Sequence, residues 1–323
     1  MATRQRLFGA DASIALVALA VAAFGWLAVT GPTPAHAGDA DQFRSADWTL
    51  ATEANGQLSF VTFELLVKDD GSGDFDAQAS ALHADLQARF PGAVAVEGGE
   101  VAAQYVLAHY SWHNNRANWA YNPAGKPAGL IVDTAAISDA AASWGTLGAN
   151  FSFASDGLTT AAPNGCQNVP DGHNTVGWAP IGHGVLAMTC TYWNARDGAT
   201  EFDMQIDPAW AWTTETSVIK VDLQSVVTHE FGHALGVDHP CDFTRPATCT
   251  DSNRAAVMYG SYTMGTNKRV QQPDDLAAIM AVYGANPVAP ASPSSTREQH
   301  PSTPAPQQPL LGYRIAIAVL SRQ

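Results

Sequence analysis

Residues 228–240, which read THEFGHALGVDHP, constrain the fold more than any other part of this chain. His229 and His233 are four residues apart, so on a helix both imidazoles project from one face about one turn apart. Gly236 has no Cβ and can take the left-handed conformation that ends a helix and reverses the chain. That reversal returns His239 toward the first two imidazoles. The pattern therefore predicts a helix that ends near Gly236 and three imidazoles around one point.

Three neutral histidines around one point are typical ligands of a catalytic zinc ion. Zinc binds imidazole nitrogens at ~2.0–2.1 Å, and three protein ligands leave a fourth position open for water. Glu230 follows the first histidine and can hydrogen-bond that water without binding the metal. As a general base it would accept the proton of the zinc-activated water and pass it to a leaving amine. Chemistry of this kind hydrolyses amides.

Residues 229–239 resemble the zinc signature of the metzincins, H-E-x-x-H-x-x-G-x-x-H. A short H-E-x-x-H also arises in unrelated helices, where the histidines only lie at the surface or at a cap. The added glycine and third histidine favour the metal site over that alternative. The resemblance also implies a Met-turn beneath the histidines, and Met258, nineteen residues after His239, is the candidate.

Within the metzincins, residues 110–285 resemble the matrixins, especially bacterial matrixin-like peptidases, and the resemblance is carried by residues 136–144, 184–187, 222–226 and 273–284. The resemblance implies an α/β (α+β) metzincin fold with a twisted, mostly parallel five-stranded sheet and one antiparallel edge strand. An active-site helix and two further helices complete it. Extended protein or peptide substrates would add to the edge strand at Leu186 and Ala187, and Tyr262 would line the primary specificity pocket.

Two departures from the animal matrixins bear directly on the metal site. Met188 stands where the edge strand of animal matrixins has a histidine for a second, structural zinc, so one catalytic Zn²⁺ is predicted. The cysteine switch of the family is absent, since no cysteine occurs between residues 38 and 165. The resemblance also implies that Ca²⁺ could bind, but it names no ligands.

The first 37 residues have the pattern of a secretory signal peptide. Arg4 and Arg6 precede an apolar run at 14–29, and Ala35-His36-Ala37 matches a cleavage site. We expect cleavage after Ala37, a secreted protein and no stable membrane association afterwards. The alternative is an uncleaved anchor, which would make the chain a membrane-tethered peptidase.

The net charge limits the possible partners, and the cysteine content indicates disulfides. Thirty acidic against sixteen basic residues give a net charge of −14, which repels phosphate backbones and disfavours nucleic acid as a partner. Four cysteines in an exported chain favour two disulfides, although four cysteines allow three pairings. We favour Cys241–Cys249, which closes a short loop, and Cys166–Cys190.

The remaining patterns divide the chain. Residues 38–109 predict a β-α-β segment that could be a propeptide, with a strand at 58–67, a helix from 75 to 90, and short strands at 94–96 and 105–110. Further helices are predicted from 133 or 134 to 147, from an N-cap at Asp222 to 235, and from Pro273, which suits the first helical position, to 283. Strands are predicted at 176–178, 185–193 and 201–206. Residues 286–323 predict a disordered Pro/Ser-rich tail.

The sequence thus predicts a secreted hydrolase, a zinc-dependent metalloendopeptidase. The alternative from another class is a non-catalytic binding protein that keeps the metzincin fold and the zinc. An intact Glu230 argues against that alternative, because a metal-binding scaffold has no need of this carboxylate.

Overall fold

The computed structural model describes residues 42–54, 57–69, 74–96, 107–108, 110–216, 219–241 and 249–287. The predicted signal peptide and nearly all of the predicted tail lie outside these residues, as does part of the predicted strand at 105–110. Within the described ranges, no helix has the length and apolar character needed to cross a bilayer.

The described residues alternate strands and helices along the chain. The strands are β1 (Gln42–Ala54), β2 (Gln57–Lys68), β3 (Val94–Val96), β4 (Arg116–Asn122), β5 (Ser152–Leu158), β6 (Thr175–Trp178), β7 (Val185–Asn194), β8 (Gly198–Ile206), β9 (Trp212–Thr213), β10 (Val221–Asp222) and β11 (Ser261–Thr263). The helices are α1 (Phe75–Arg89), α2 (Asp133–Gly145), α3 (Leu223–Ala234), α4 (Asp251–Ala255) and α5 (Pro273–Tyr283). The four predicted helices and the predicted strands that correspond to β2, β3, β6, β7 and β8 are confirmed. Helix α4 and the strands β1, β4, β5, β9, β10 and β11 were not predicted. Leu107 makes only an isolated bridge to Val237 instead of the predicted strand.

Five neighbouring strands form the predicted mixed sheet, in the order β7-β8-β6-β4-β5. β6 is parallel to both β8 and β4, and β4 is parallel to β5. β7 is the antiparallel member beside β8. The predicted α/β architecture is therefore confirmed at the level of a mixed sheet with several helices.

The sheet has nine strands among the described residues, however, and β7 is not its edge. β2 pairs with β7 in antiparallel register from Phe60↔Trp193 to Val67↔Val185. β1 then pairs with β2, and both β11 and β3 pair with β1. The five predicted strands are thus part of a larger sheet, and β7 is an internal strand instead of the predicted antiparallel edge strand. An exposed edge presents unpaired N–H and C=O groups, and the N-terminal strands supply their partners.

The hairpin formed by β1 and β2, called the hairpin below, has two different faces because successive side chains of a strand alternate. One face packs on α1, and its buried apolar members are Leu50, Val61, Phe63, Leu65 and Val67. The opposite face carries Phe43 and Leu66, which belong to the larger core around α2, α3 and α5. The hairpin thus separates two apolar clusters.

Helix α3 is fixed at both ends. Asp222 caps its start by accepting a hydrogen bond from Ser225 N at 2.8 Å, as the sequence predicted, and Arg269 forms an ion pair with the same carboxylate. The last carbonyls of a helix have no partner within the helix. Three buried side chains donate to them: Tyr110 to His233 O (2.9 Å), Trp112 to Ala234 O (2.8 Å) and Tyr283 to Leu235 O (2.5 Å). The helix that carries the histidine pattern is therefore rigidly placed.

Both favoured disulfides are present, Cys166–Cys190 and Cys241–Cys249. The paired cysteines are 24 and 8 residues apart in the sequence, respectively. The disulfide that closes the longer loop restricts the unfolded chain more. We expect Cys166→Ala/Cys190→Ala to lower the free energy of unfolding by about 3.4 kcal/mol and Cys241→Ala/Cys249→Ala by about 2.5 kcal/mol. Urea unfolding of the oxidised proteins measures both. The reverse order would contradict the loop-entropy explanation.

Candidate metal centre

The structure brings the three predicted histidines together. Nε2 of His229 lies 3.0 Å from Nε2 of His233 and 3.3 Å from Nε2 of His239. A tetrahedral ion with bonds of ~2.0–2.1 Å holds its ligand atoms about 3.4 Å apart. The three rings are also buried, with 0–4 % of their surface exposed. The donor set and its spacing therefore fit one zinc ion.

The other ring nitrogen of each histidine has an acceptor. Nδ1 of His229 lies 2.8 Å from Val257 O, and Nδ1 of His233 lies 3.1 Å from Val237 O. Nδ1 of His239 lies 3.1 Å from a carboxylate oxygen of Asp47. Acceptors at Nδ1 favour the tautomer with a proton there, which leaves each Nε2 lone pair free for a metal.

A second group of metal-ligand types shares one histidine with the first. It consists of His239, Asp47 and Asp238. The Asp238 carboxylate lies 3.4 Å from Nδ1 of His239. Because Nε2 of His239 points at the other two histidines, these carboxylates act on the opposite ring nitrogen. They orient the ring and raise its basicity.

The protonation of the histidines follows from burial and from these charges. Burial lowers the pKa of His229 and of His233, which favours the neutral form that binds metal. Burial also lowers the pKa of His239, but the nearby Asp47 and Asp238 carboxylates outweigh it and raise the pKa to about 9. Metal binding at neutral pH must therefore displace a proton from His239.

Glu230 lies beside the three rings, and only one of its two carboxylate oxygens has a hydrogen-bond partner among the described residues. It is fully buried, and its Oε2 accepts a hydrogen bond from Thr189 Oγ1 at 2.6 Å. Its Oε1 has no hydrogen-bond partner within the described part of the chain. Burial raises the pKa of Glu230 to about 7. A buried polar atom without a partner is costly, so Oε1 is suited to a ligand or water that arrives from the metal side.

Two glycines allow the histidines to converge. Gly236 has φ +99°, and a Cβ there would also collide with Tyr110 O, so both conformation and space require glycine. Gly232 lies inside α3, where a Cβ would overlap Met258 Sδ and approach Trp144 Cζ2 within 2.8 Å. The absence of a side chain at Gly232 therefore lets the Met258 segment pack directly against α3.

The candidate Met-turn is tied to α5. Met258 is 1 % exposed and follows Val257, whose carbonyl accepts from His229. The buried Asp275 carboxylate accepts from Val257 N (2.9 Å) and Met258 N (3.0 Å). The start of α5 therefore holds the backbone that positions the first histidine.

Of the three predicted substrate-binding residues, one lines a pocket next to a zinc-binding histidine and the other two do not. Tyr262 is buried on β11 and lines a small pocket together with His229, Ser225, Val226 and Val257. The remaining lining residues are Leu66, Tyr259, Ser261 and Lys268. Leu186 and Ala187 are fully buried within β7, between β8 and β2, and do not line this pocket.

Sequence reasoning missed the residues that the hairpin and β7 bring to the site. Ser45 Oγ lies 2.8 Å from Nε2 of His239, and Glu64 lies 3.3 Å from Nδ1 of His233. Burial raises the pKa of Glu64 well above its ordinary value. A usable signal was present, because Glu64 is the one charged residue in the apolar run 58–67. Ser45, Asp47 and Thr189 carry no such signal.

The matching of this chain to known proteins agrees with the motif and its geometry. Residues 181–284 match the matrixin family, Peptidase_M10. The match contains α3, the three histidines, Met258 and α5. The resemblance of residues 110–180 to this family stays a prediction.

Curated relatives of this chain are matrixin-type metalloproteinases. It is 36 % identical over 89 residues to metalloendoproteinase 1-MMP of Arabidopsis thaliana (26 % of this chain, 21 % of that protein). It is 34 % identical over 122 residues to matrix metalloproteinase-18 of Xenopus laevis (37 % and 22 %) and 32 % identical over 103 residues to human neutrophil collagenase (31 % and 19 %). The matched stretches span about a fifth of these relatives. They indicate a family of zinc metalloendopeptidases that act on proteins.

Proposed function

We propose that this chain is a secreted, zinc-dependent metalloendopeptidase that cleaves extended protein or peptide substrates. The observation that carries the proposal is the convergence of three histidine Nε2 atoms beside a buried carboxylate whose Oε1 has no hydrogen-bond partner among the described residues. His229, His233 and His239 would hold the ion, and the Met258 segment would support them. A bound zinc ion supplies Lewis-acid activation of water and of the scissile carbonyl.

Glu230 performs the proton transfers in this proposal. Its open Oε1 takes a proton from the attacking water and delivers it to the amine that leaves. Burial raises the pKa of Glu230, which favours a carboxylate that can both accept a proton and deliver it. Thr189 holds Oε2 and so keeps Oε1 directed at the reacting atoms.

The proposed segments of the chain have the boundaries that the sequence predicts. We propose a signal peptide at 1–37, an N-terminal segment at 38–109, a matrixin-like catalytic segment at 110–285 and a Pro/Ser-rich tail at 286–323. Export is supported by the leader pattern and by the two disulfides, which persist in oxidising compartments. Calcium stays an expectation without assigned ligands, and nucleic acid and membrane are not proposed as partners.

The direct test of the function is cleavage of a reduced, unfolded protein by the purified chain. Peptide-bond cleavage should stop when a chelator removes the metal and return when Zn²⁺ is added back in stoichiometric amount. Cleavage that continues unchanged in the chelator would contradict a zinc-dependent mechanism.

Thr189 provides a prediction about the orientation of Glu230. Thr189→Val keeps the shape of the side chain but removes the hydroxyl, leaving Oε2 without its donor. We expect kcat to fall about 10–100-fold with KM little changed, because the loss affects proton transfer and not substrate binding. Thr189→Ser retains the hydroxyl and should keep most of the activity. Equal kinetics for the valine and serine variants would exclude the positioning role.

A further inference from the structure

One side chain gives the pocket beside His229 a charge of its own. Lys268 lines this pocket, and apart from His229 the other lining residues named above carry no ionised side chain at neutral pH. Binding pockets are mostly apolar and use a few placed polar groups to select a ligand. Lys268 is therefore the side chain that can give this pocket a preference for a charged ligand.

The ammonium of Lys268 is fixed in the wall of the pocket. Its Nζ donates to Arg254 O (2.9 Å) and Ala256 O (3.0 Å) and lies 4.8 Å from the ring centre of Tyr259. Its backbone N donates to Ser225 Oγ at 2.7 Å, which holds the residue against the start of α3. An ammonium has three protons, so one N–H of Nζ has no acceptor among the described residues.

No carboxylate neutralises this ammonium by direct contact. Within the part of the chain that the structure describes, Lys268 forms no ion pair, whereas the next residue, Arg269, pairs with Asp222. Burial lowers the pKa of Lys268 to about 8, and the charge of Asp275 opposes that shift. The side chain is therefore still mostly protonated at pH 7. A buried charge without a partner is costly, so an arriving anion would be stabilised here.

The neutral polar side chains of the wall are poorer candidates for selecting a ligand. Ser225 Oγ donates to the Asp222 carboxylate at 2.6 Å, and the Tyr262 hydroxyl accepts from Asp222 N at 2.8 Å. Ser261 adds a hydroxyl without charge. Hydrogen bonds with an ionised partner are roughly twice as strong as neutral ones, so the unused N–H of Lys268 is the strongest donor that a ligand meets.

We propose that the pocket beside His229 selects substrates by a carboxylate, and that Lys268 is the residue that recognises it. This inference rests on the proposed peptidase function and names its substrate class, peptides with a glutamate beside the cleaved bond. The pocket is small, which suits an unbranched side chain. The aliphatic stem of the glutamate would contact Leu66, Val226 and Val257, and its carboxylate would accept the unused N–H of Lys268.

The rival explanation is that Lys268 is only a structural tie. Its two hydrogen bonds join the segment after β11 to carbonyls at the end of α4, and the pocket would then take an aliphatic side chain against its apolar wall. The two explanations predict different substrates. Carboxylate recognition favours glutamate over leucine and depends on the charge of Lys268, whereas a tie favours leucine with or without that charge.

The first test reads the preference of the full-length, zinc-loaded wild type and needs no variant. A mixture of peptides of random sequence is digested, and mass spectrometry identifies the residues on both sides of each cleaved bond. A hydrogen bond to a charged group changes an affinity roughly tenfold or more, so we expect glutamate to be enriched at least tenfold over leucine at one of these positions. Enrichment of leucine over glutamate at every position would overturn the proposal.

The second test changes the charge of Lys268. Lys268→Met keeps an unbranched side chain and removes the charge, Lys268→Arg keeps the charge, and Lys220→Met is the matched control that removes an exposed lysine. We expect the ratio of kcat/KM for glutamate and leucine peptides to fall at least tenfold in Lys268→Met. Lys268→Arg should keep most of the preference, and Lys220→Met should keep all of it. A folded Lys268→Met variant with the wild-type ratio would show a structural tie and overturn the proposal.

The free C-terminus of a peptide also carries a carboxylate, and matched peptides separate the two sources. The peptides carry glutamate or glutamine at the selected position, each with a free or an amidated C-terminus. We expect glutamine to lower kcat/KM at least fivefold and amidation to leave it within twofold. A loss on amidation without a loss on replacement by glutamine would overturn the assignment to a glutamate side chain.

Inhibitor binding separates failure of this inference from failure of the peptidase function, because it needs no turnover. The probes are two hydroxamates that differ only in the side chain beside the hydroxamate, which is carboxyethyl or isobutyl. The wild type should bind the carboxyethyl compound at least tenfold more tightly. If it does so while no peptide is cleaved, the Lys268 proposal holds and the peptidase proposal is wrong. If peptides are cleaved without a preference for glutamate and both hydroxamates bind equally, the peptidase proposal holds and the Lys268 proposal is wrong.

Discussion

Replacement of Glu230 by alanine should abolish turnover while the chain still binds one zinc ion. Glu230 is not among the three residues whose ligand atoms converge, and its proposed task is proton transfer through Oε1. Loss of a general acid–base group costs about 10²–10⁴-fold in rate, so we expect a fall in kcat within or above that range. Steady-state kinetics and zinc analysis of the same preparation measure both quantities.

The matched control for Glu230→Ala is Glu215→Ala, which removes an exposed glutamate elsewhere in the chain. This control should keep wild-type kinetics and zinc content. Cleavage by Glu230→Ala at the wild-type rate would overturn the assigned role. Loss of zinc in that variant would instead make the carboxylate part of the metal site.

Replacement of His233 by alanine should remove the metal and the activity together. Two of the three nitrogens remain, and two imidazoles cannot hold the ion in competition with water and buffer. Loss of an outer-shell partner already costs 10–100-fold in metal affinity, so loss of a ligand should cost more. Competition with a chromophoric chelator gives the zinc affinity.

His173→Ala is the control for this prediction, because His173 is exposed on a loop. It should bind zinc as the wild type does. Retention of stoichiometric, tightly bound zinc by His233→Ala would show that the ion is held by other residues, such as the group of Asp47, Asp238 and His239.

Local chemistry explains what could be predicted from the sequence. The helix spacing of His229 and His233, the Asp222 cap and the glycine reversal are all encoded within about fifteen residues, so the structure of α3 and its turn followed from them. Pro273 likewise marked the first residue of α5. Such features depend on near neighbours in the sequence, where periodicity and capping rules apply directly.

Long-range pairing explains what could not. The run at 58–67 was identified as a strand, but its pattern does not specify that its partner is β7, more than a hundred residues later. Gln42–Ala54 is largely polar and lacks a strong alternating pattern, so β1 was missed. Thr189 is an ordinary residue for a strand, and only the fold places its hydroxyl on Glu230. The sequence of a strand shows which of its side chains share a face, but it does not show which other strands pair with it.

The most direct test of the account is the coordination of the metal itself. Native mass spectrometry of the full-length protein should find one zinc ion per chain, and X-ray absorption at the zinc edge should find three imidazole nitrogens at ~2.0–2.1 Å and one oxygen ligand. A chain that retains no zinc after reconstitution, or a zinc ion bound by ligands other than these imidazoles, would contradict the account.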